Sequence, residues 1–309
     1  MTLSDLDEGV WRERLRRGDL VIRCGPFRYR IESRLPLIAE GLGRLYADYP
    51  VAEPDEFADF SLKMAEGTGV HRWWHRQVRF SADGFYPFEP LPLDHAYPQL
   101  EWAMNWCLTT RAHHYLMLHA AVVERDGLAA ILPAPPGSGK STLCAALVHR
   151  GWRLLSDEVA LISLTDGRIW PAVRPISLKN QSIDILRAYA PGCVMTRVTH
   201  GTTKGSVTHL KVPTDQVARM DEPAVPRWVV FPKYVAGAPT RLAPVARARS
   251  LLDLGGNSFN YTLLGRDGFE ALGRLVASCA CFEFSYSQLD EAIQTFDGLA
   301  AAAREAHHG

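Results

Sequence analysis

Several features that would direct an assignment are scarce in this chain of 309 residues. Basic and acidic residues balance at 34 each, so no basic excess attracts a nucleic acid or an anionic membrane surface. No apolar run reaches the roughly 20 residues that a membrane-spanning helix needs. Residues 1–19 lack the apolar stretch of a secretory signal. We therefore expect no nucleic-acid partner, no membrane partner and a cytoplasmic location.

Cysteine is also scarce: the chain has six, and none of them are in CxxC spacing. Six in a chain of this length do not form a disulfide framework, so we expect reduced, buried thiols. The histidine pairs at 113–114 and 307–308 lack acidic or cysteine partners at ligand spacing, so they predict no metal site. With 47% hydrophobic and 22% charged residues, the composition supports a packed core and excludes wholesale disorder.

The first part of the chain, residues 1–98, is predicted to be a small α+β module. An amphipathic helix is expected at 4–17, with Ser4 as its cap and Asp7 as a capping-box partner. Residues 71–80 are basic and aromatic, a composition that suits base stacking. A half-buried strand with a charged outer face is the favoured interpretation of that segment.

Residues 99–309 alternate between helical and strand patterns and are predicted to form one α/β domain. Two apolar strands at 116–123 and 128–132 lead into a glycine-rich loop, a helix and another strand. The order strand, loop, helix, strand is that of nucleotide-binding α/β domains. Residues 191–226 have few helical signals and many Gly, Thr and Lys residues, so we expect a mobile loop over a site there.

Residues 134–142 match the phosphate-binding P-loop pattern, except that alanine replaces the first glycine. Gly137 and Gly139 would let successive backbone N–H groups point at phosphates. Lys140 would reach the β- and γ-phosphates, and the Ser141 hydroxyl would hold Mg²⁺. The residues predicted to bind ATP are Pro135, Pro136, Gly137, Ser138, Gly139, Lys140, Ser141 and Thr142.

An acidic pair, Asp157 and Glu158, ends the apolar strand that follows the P-loop helix. Acids at a strand end beside a P-loop are placed for Mg²⁺ coordination and proton abstraction. A hydroxyl is a poor nucleophile until an acceptor takes its proton, and a carboxylate near the γ-phosphate can do so. The alternative interpretation of the pair is a solvated turn.

Three successive segments resemble the C-terminal catalytic domain of HPr(Ser) kinase/phosphatase. They are LHAAVV at 118–123, APPGSGKST at 134–142 and HRGWRLLSDEVALI at 149–162. The resemblance extends over roughly 115–285, and within it the chain is similar to the group called HPr kinase-related kinases, type A. Phosphoenolpyruvate carboxykinases share the family's fold. The resemblance therefore implies a P-loop kinase domain that uses ATP and Mg²⁺.

The resemblance also implies roles for three residues. Asp157 matches the family's first acid and would be the catalytic base. Glu158 matches the second acid and would be a metal ligand together with Ser141. His119 matches the histidine on the strand before the loop and would orient or tune the base. A satisfied core histidine is the alternative for His119.

The chain departs from HPr kinases in two places. The acidic-then-RGLG signature associated with their phosphorolysis is missing, and RPISLKN at 174–180 stands in its region. Residues 1–98 show no clear resemblance to their N-terminal domain. Neither phosphatase activity nor HPr as the substrate is therefore predicted.

Cations follow the acidic pair, and two of them, Lys179 and Lys204, are hypothesised to be catalytic. Cations on a mobile loop can clamp a transferring phosphoryl group. Arg174, His209 and Lys211 belong to the same stretch. A charged surface loop is the alternative for all of them.

The phosphate acceptor stays open. A serine of a protein or peptide is favoured, and a small-molecule hydroxyl on the same site is the first alternative. A regulatory module that binds ATP without transferring phosphate is the second, and Asp157 argues against it, because a pure binder needs no base. HPr kinases are oligomeric, so the resemblance also raises the expectation of a homo-oligomer.

Overall fold

The computed structural model describes residues 1–68, 74–135 and 137–308. Residues 71–73 of the basic aromatic segment and Pro136 of the P-loop lie outside this part of the chain. The helices are α1 (Glu8–Arg17), α2 (Pro36–Leu45), α3 (Ala96–Arg111), α4 (Lys140–Val148), α5 (Gln181–Tyr189), α6 (Thr214–Ala218), α7 (Arg247–Gly256), α8 (Tyr261–Ser278) and α9 (Leu289–His308).

The strands are β1 (Leu20–Cys24), β2 (Phe27–Ser33), β3 (Val51–Ala52), β4 (Phe60–Glu66), β5 (Gln77–Ala82), β6 (Leu91–Pro92), β7 (Tyr115–Arg125), β8 (Leu128–Pro133), β9 (Arg153–Ser156), β10 (Val159–Ser163), β11 (Ile169–Trp170), β12 (Ile176–Lys179), β13 (Thr199–Thr202), β14 (Gly205–Leu210), β15 (Val225–Tyr234), β16 (Arg241–Pro244) and β17 (Ala280–Tyr286). Together with the helices they form a mixed α/β structure. Among the described residues, no helix has both the length and the apolar character to cross a membrane.

The chain divides into two compact units. The first comprises Met1–Arg111, Arg174–Ile183 and Gly192–Arg219, and the second comprises Ala112–Val173, Asp184–Pro191 and Met220–Gly309. This division differs from the predicted ranges 1–98 and 99–309. Helix α3 belongs to the first unit because it packs against β4 and β5, and it also contacts β14.

The first unit contains a six-stranded sheet in the order β3-β1-β2-β4-β5-β6 and a three-stranded sheet in the order β12-β14-β13. Strand β2 shows why it forms: every second side chain is buried, as a strand with one covered face requires. Its neighbour β4 runs parallel to it, while the other pairs of the larger sheet are antiparallel.

Helix α1 begins later than its sequence pattern predicts. Its cap is Asp7, whose carboxylate accepts a hydrogen bond from the N–H of Gly9 at 2.8 Å, whereas Ser4 lies in a preceding 3-10 turn. The prediction of Ser4 as the cap is therefore wrong. Gly18 ends the helix in the left-handed conformation, φ +81°, which glycine adopts at little cost.

The prediction of a mobile loop at 191–226 is also wrong, because β13, β14 and α6 lie within it. Strand β14 pairs antiparallel with β12, placing His209 opposite Ser177. Its partner strand lies about 30 residues earlier in the chain, so the local sequence carries little sign of the pairing.

The second unit is built on an eight-stranded mixed sheet. Its order is β11-β10-β7-β8-β15-β17-β16, and β9 pairs with β7 as well. Strands β8, β15 and β17 are parallel neighbours, and the remaining pairs are antiparallel. The succession β7, β8, α4, β9 confirms the sequence prediction for this region.

Helices cover this sheet. Apolar side chains of β7, β8, β10 and β15 form a buried core with residues of α7 and α8. Helix α4 packs against β7, and α9 packs against α4 and β17. A sheet covered in this way needs apolar side chains at consecutive positions, which accounts for the nearly unbroken apolar runs in β7 and β10.

Candidate active site

The glycine-rich loop connects β8 to α4. Gly137 and Gly139 have φ of +86° and +87°, in the left-handed region that favours glycine. The N–H of Ser138 donates to the carbonyl oxygen of Pro135 at 3.3 Å. Both glycines of the loop therefore have left-handed backbone conformations, and Gly139 lies directly before the first residue of α4.

Two tyrosines from distant parts of the chain hold this loop. The backbone N–H of Tyr234 donates to the carbonyl oxygen of Ser138 at 2.9 Å. The hydroxyl of Tyr286 donates to the carbonyl oxygen of Gly139 at 3.2 Å. A Cβ atom on Gly139 would lie 2.7 Å from the Tyr286 hydroxyl oxygen and 3.0 Å from Tyr234 Cβ. Sequence reasoning missed both tyrosines, because neither belongs to a local motif.

Lys140, the first residue of α4, is buried and brings its ammonium group to two other predicted site residues. Its Nζ lies 3.2 Å from His119 Nε2 and 3.7 Å from Glu158 Oε2. His119 Nε2 lies 3.0 Å from the same Glu158 oxygen. The three side chains come from α4, from β7 and from the segment between β9 and β10, and they form one charged cluster.

The imidazole of His119 has two neighbours at one nitrogen. A protonated Nε2 donates a hydrogen bond to Glu158, whereas an unprotonated Nε2 accepts one from Lys140. The Nε2 atom either carries a proton or presents a lone pair, so only one of these two hydrogen bonds forms at a time. The position of one proton therefore decides which charged side chain His119 holds.

The acids lie at a bend between two strands that both pair with β7. His119 is opposite Val159, so in a regular strand the side chain next to Val159 would point to the other face of the sheet. Asp157 and Glu158 form a bend instead, and Ser156 Oγ accepts the N–H of Val159 at 3.1 Å across it. This break in alternation lets Glu158 meet His119.

Asp157 is buried at the start of the same bend. Burial raises the pKa of the Cys144 thiol well above its ordinary value, and the negative charges of Asp157 and Glu158 add to the increase. Cys144 follows Lys140 by one helical turn. Glu158 reaches the first turn of this helix through its contact with Lys140.

A segment before α8 supports the strand that carries His119. The backbone N–H of His119 donates to the carbonyl oxygen of Asn257 at 2.7 Å. The amide of Asn260 accepts from the N–H of Met117 at 2.9 Å and donates to the carbonyl oxygen of Tyr115 at 2.8 Å. Sequence reasoning missed this segment, whose contacts span about 140 residues of chain.

The same segment brings an aromatic ring to the site. The ring of Phe259 is centred 5.8 Å from the ring of His119, and Phe259 is exposed. The histidine is thus bordered by an apolar surface on one side and by charged groups on the other.

Ser141 and Thr142, the remaining predicted loop residues, are half-buried in the first turn of α4. Within the described ranges there is no group of three or more His, Cys, Asp or Glu residues that could hold a metal ion.

The two other predicted catalytic cations, Lys179 and Lys204, lie in the first unit, whereas the cluster around Lys140 lies in the second. Lys179 ends β12, and its N–H donates to Ser182 Oγ at 2.8 Å. Lys204 lies in the turn between β13 and β14 with its Nζ 5.1 Å from the centre of the Trp102 ring. Their catalytic role stays a prediction.

Neighbouring candidates in the first unit have structural partners. Arg174 is buried and donates to the Glu101 carboxylate at 3.3 Å. Lys211 forms an ion pair with Asp48 at 2.9 Å. His209 is buried against the ring of Tyr97, with the ring centres 5.5 Å apart. These contacts favour a structural interpretation for Arg174 and Lys211.

Comparisons with known proteins find a similarity that includes this region. The family model described as "SynChlorMet cassette protein ScmC" matches residues 99–176, about a quarter of the chain, which includes His119, the loop and both acids. The solved HPr(Ser) kinase/phosphatase from Coxiella burnetii matches with 13% identity, over 62% of this chain and 99% of that chain. Its TM-score of 0.30 does not establish a shared fold. Curated proteins give no match.

Proposed function

We propose that this chain is an ATP-dependent kinase of the HPr kinase-like type, which transfers the γ-phosphate of ATP to a hydroxyl group. The supporting observation is the arrangement of Lys140 at the junction of loop and helix, against Glu158 and His119. A glycine-rich loop by itself accounts for phosphate binding. The carboxylates beside it supply, in addition, groups that can accept a proton, which transfer to a hydroxyl requires.

The predicted loop residues take the phosphates in this proposal. Backbone N–H groups between Gly137 and Thr142 face the phosphate oxygens at the positive end of α4. The ammonium group of Lys140 turns from Glu158 to the β- and γ-phosphates when the nucleotide enters. Exchange of one anionic partner for another keeps the buried ammonium paired in both states.

Asp157 is the proposed base. The acceptor oxygen attacks the γ-phosphorus, the bond from that phosphorus to the oxygen bridging to the β-phosphate breaks, and ADP leaves with the bonding pair. The acceptor's proton passes to the Asp157 carboxylate. His119 orients the acidic pair through Glu158, with which it is in contact.

Ser141 and Glu158 would hold Mg²⁺. The donor set fits, since a hydroxyl and a carboxylate are hard oxygen ligands, and Mg²⁺ in kinases takes one or two carboxylates plus substrate phosphates. Held by these two residues, the ion would supply positive charge to offset the negative charge that develops during transfer. The side chain of Glu158 retains 22% of its exposure, so it is accessible to a ligand as well as to Lys140.

The favoured acceptor is a serine of a protein or peptide. The test is incubation of the purified chain with γ-labelled ATP and Mg²⁺, with and without a cell extract. We expect label on a protein band only when the extract is present. Lys63→Ala serves as the matched control for Lys140→Ala, since Lys63 is an exposed residue paired with Glu32 on the surface of the first unit.

The other outcomes separate the alternatives. Label confined to the small-molecule fraction identifies a small-molecule kinase. Binding of ATP with no transfer under any condition identifies a regulatory module. Absence of both binding and transfer would contradict the proposed function altogether.

A further inference from the structure

Three parallel strands of the second unit end at the same edge of its sheet. Strand β8 leads into the glycine-rich loop, its neighbour β15 ends at Tyr234, and the next strand, β17, ends at Tyr286. In α/β sheets, ligands bind outside the carboxyl ends of parallel strands. The two tyrosines are therefore at the edge where a ligand of the loop would lie.

Both tyrosines are tied to the loop, and through different atoms. Tyr234 uses its backbone N–H, bonded to the carbonyl oxygen of Ser138 at 2.9 Å, so its side chain is not engaged by that contact. Tyr286 uses its hydroxyl, bonded to the carbonyl oxygen of Gly139 at 3.2 Å. The rings meet edge to face with their centres 5.8 Å apart.

Exposure separates the roles of the two rings. Tyr286 is 1% exposed, and its ring is stacked on Phe284, so it is part of the core. Tyr234 is 49% exposed although its main chain is fixed against the loop. Exposed tyrosines occur on any protein surface. Tyr234 differs because its backbone position is set by the same loop that would hold the phosphates.

We propose that the ring of Tyr234 is the surface on which the base of a purine nucleoside triphosphate stacks. The inference rests on the proposed function, since it needs a nucleotide on the loop. The loop N–H groups and Lys140 account for the phosphates alone and give no reason to prefer a nucleotide over an inorganic polyphosphate. A fixed, half-exposed aromatic ring at the edge of the loop supplies that preference, because any base can stack on it and a purine covers more of it.

Affinity for two ligands tests this role. MgATP and Mg²⁺ with inorganic tripolyphosphate are titrated calorimetrically into the wild type, Tyr234→Ala and Tyr234→Phe. Stacking of one base on an aromatic ring corresponds to about 5- to 150-fold in affinity. We expect Tyr234→Ala to bind MgATP weaker by that factor and tripolyphosphate as the wild type does, whereas Tyr234→Phe keeps both affinities.

Two results would overturn the inference. One is unchanged MgATP affinity in Tyr234→Ala. The other is an equal loss for MgATP and tripolyphosphate, which would make Tyr234 a positioning residue of the loop only. Val235→Ala is the matched local control, as Val235 is the next exposed residue and its backbone N–H bonds to Tyr286, not to the loop.

Lys140→Ala distinguishes failure of the inference from failure of the proposed function. Loss of both ligands in Lys140→Ala, together with weaker MgATP binding and retained tripolyphosphate binding in Tyr234→Ala, supports both. If the wild type binds neither ligand, or Lys140→Ala binds both as the wild type does, the phosphate site itself is contradicted and the stacking role falls with it. Thermal unfolding followed by circular dichroism establishes that each variant is folded.

Discussion

Each unit gathers charged side chains into a cluster, and the two clusters are built differently. In the first unit, Glu101 and Arg174 are buried, and the Glu101 carboxylate accepts hydrogen bonds from Tyr46, Tyr97 and Arg174. In the second unit, the side chains of His119 and Glu158 keep 28% and 22% of their exposure. The first cluster is enclosed by its own chain, whereas the second joins a buried ammonium group, Lys140, to two partly exposed side chains.

The difference shows what each cluster is suited to do. Burial raises the pKa of Glu101, and Arg174 and the two tyrosine hydroxyls offset only part of that desolvation. Such a cluster is stable only while its internal partners remain in place. The cluster around Lys140 can exchange partners, because His119, Glu158 and an incoming anion compete for the same groups. The proposed function assigns chemistry to the cluster around Lys140, and the contacts of the enclosed cluster favour a structural role.

The largest effect is expected from Asp157→Asn, at the buried acid that precedes Glu158 in the chain. Asparagine keeps the shape of aspartate and cannot take the acceptor's proton, so transfer should fall by about 10²- to 10⁴-fold while MgATP affinity stays near that of the wild type. Transfer of label from γ-labelled ATP and calorimetric titration measure the two quantities. Equal losses in binding and transfer would mean that Asp157 acts on the nucleotide and not as a base.

Glu158→Gln and His119→Ala test the roles of the neighbouring residues against that of Asp157. Loss of a ligand charge in Glu158→Gln should raise the Mg²⁺ concentration needed for transfer. His119→Ala should cost less than Asp157→Asn, since the histidine acts through its contact with Glu158. An inactive Glu158→Gln beside a nearly normal Asp157→Asn would show that the roles of the two acids are swapped.

The enclosed cluster is broken by Arg174→Met, which leaves the Glu101 carboxylate buried without its cationic partner. Loss of one partner of a buried ion pair costs about 3–5 kcal/mol in the free energy of unfolding. Urea denaturation measures this, with Arg16→Met, at an exposed ion pair, expected to change stability by less than about 1 kcal/mol. Equal effects of the two substitutions would contradict the assignment of a structural role to Arg174.

The same variant has a predicted pH dependence. The pKa of Glu101 is raised in the folded state, so protonation of Glu101 favours folding. That contribution is complete below the ordinary pKa of glutamate and is lost as the pH rises through the raised folded pKa. The deficit of Arg174→Met should therefore be smaller at pH 5 than at pH 8, because the neutral carboxyl needs no cation.

The smallest effects are expected from alanine substitutions at the two glycines of the loop. Gly137→Ala and Gly139→Ala both place a side chain at positive φ, which costs about 1–2 kcal/mol. Gly139→Ala adds close approaches to Tyr286 and Tyr234, whereas a Cβ on Gly137 meets nothing within 4 Å in the described part of the chain. Gly139→Ala should therefore weaken MgATP binding more than Gly137→Ala does. Equal affinities in a titration would contradict the anchoring by the two tyrosines.

The succession from β7 to β10 could be predicted from sequence because each of its signals is local. Apolar runs define the strands, glycines define the loop, and the acids mark the end of β9. The contact of His119 with Glu158 could not be predicted in the same way. It depends on a bend at 157–158 that interrupts the alternation of side chains along the strand.

Long-range pairing accounts for most of what sequence reasoning missed. Tyr234 and Tyr286 reach the loop only because β8, β15 and β17 are neighbours in the sheet. Asn260 bonds to β7 across about 140 residues. The segment 191–226, expected to be a mobile loop, contains the hairpin of β13 and β14 and a short helix, and β14 also pairs with β12, about 30 residues earlier in the chain. Such pairings have no local sequence signature.

The central claim is that the loop and Lys140 bind the phosphates of a nucleotide, and calorimetric titration with MgATP tests it most directly. A hydrogen bond to a charged group contributes about 1.5–3 kcal/mol, so Lys140→Ala should bind MgATP about ten- to a hundredfold more weakly than the wild type. Lys63→Ala, which removes an exposed lysine paired with Glu32, should bind as the wild type does. Identical MgATP affinities of Lys140→Ala, Lys63→Ala and the wild type would contradict the account.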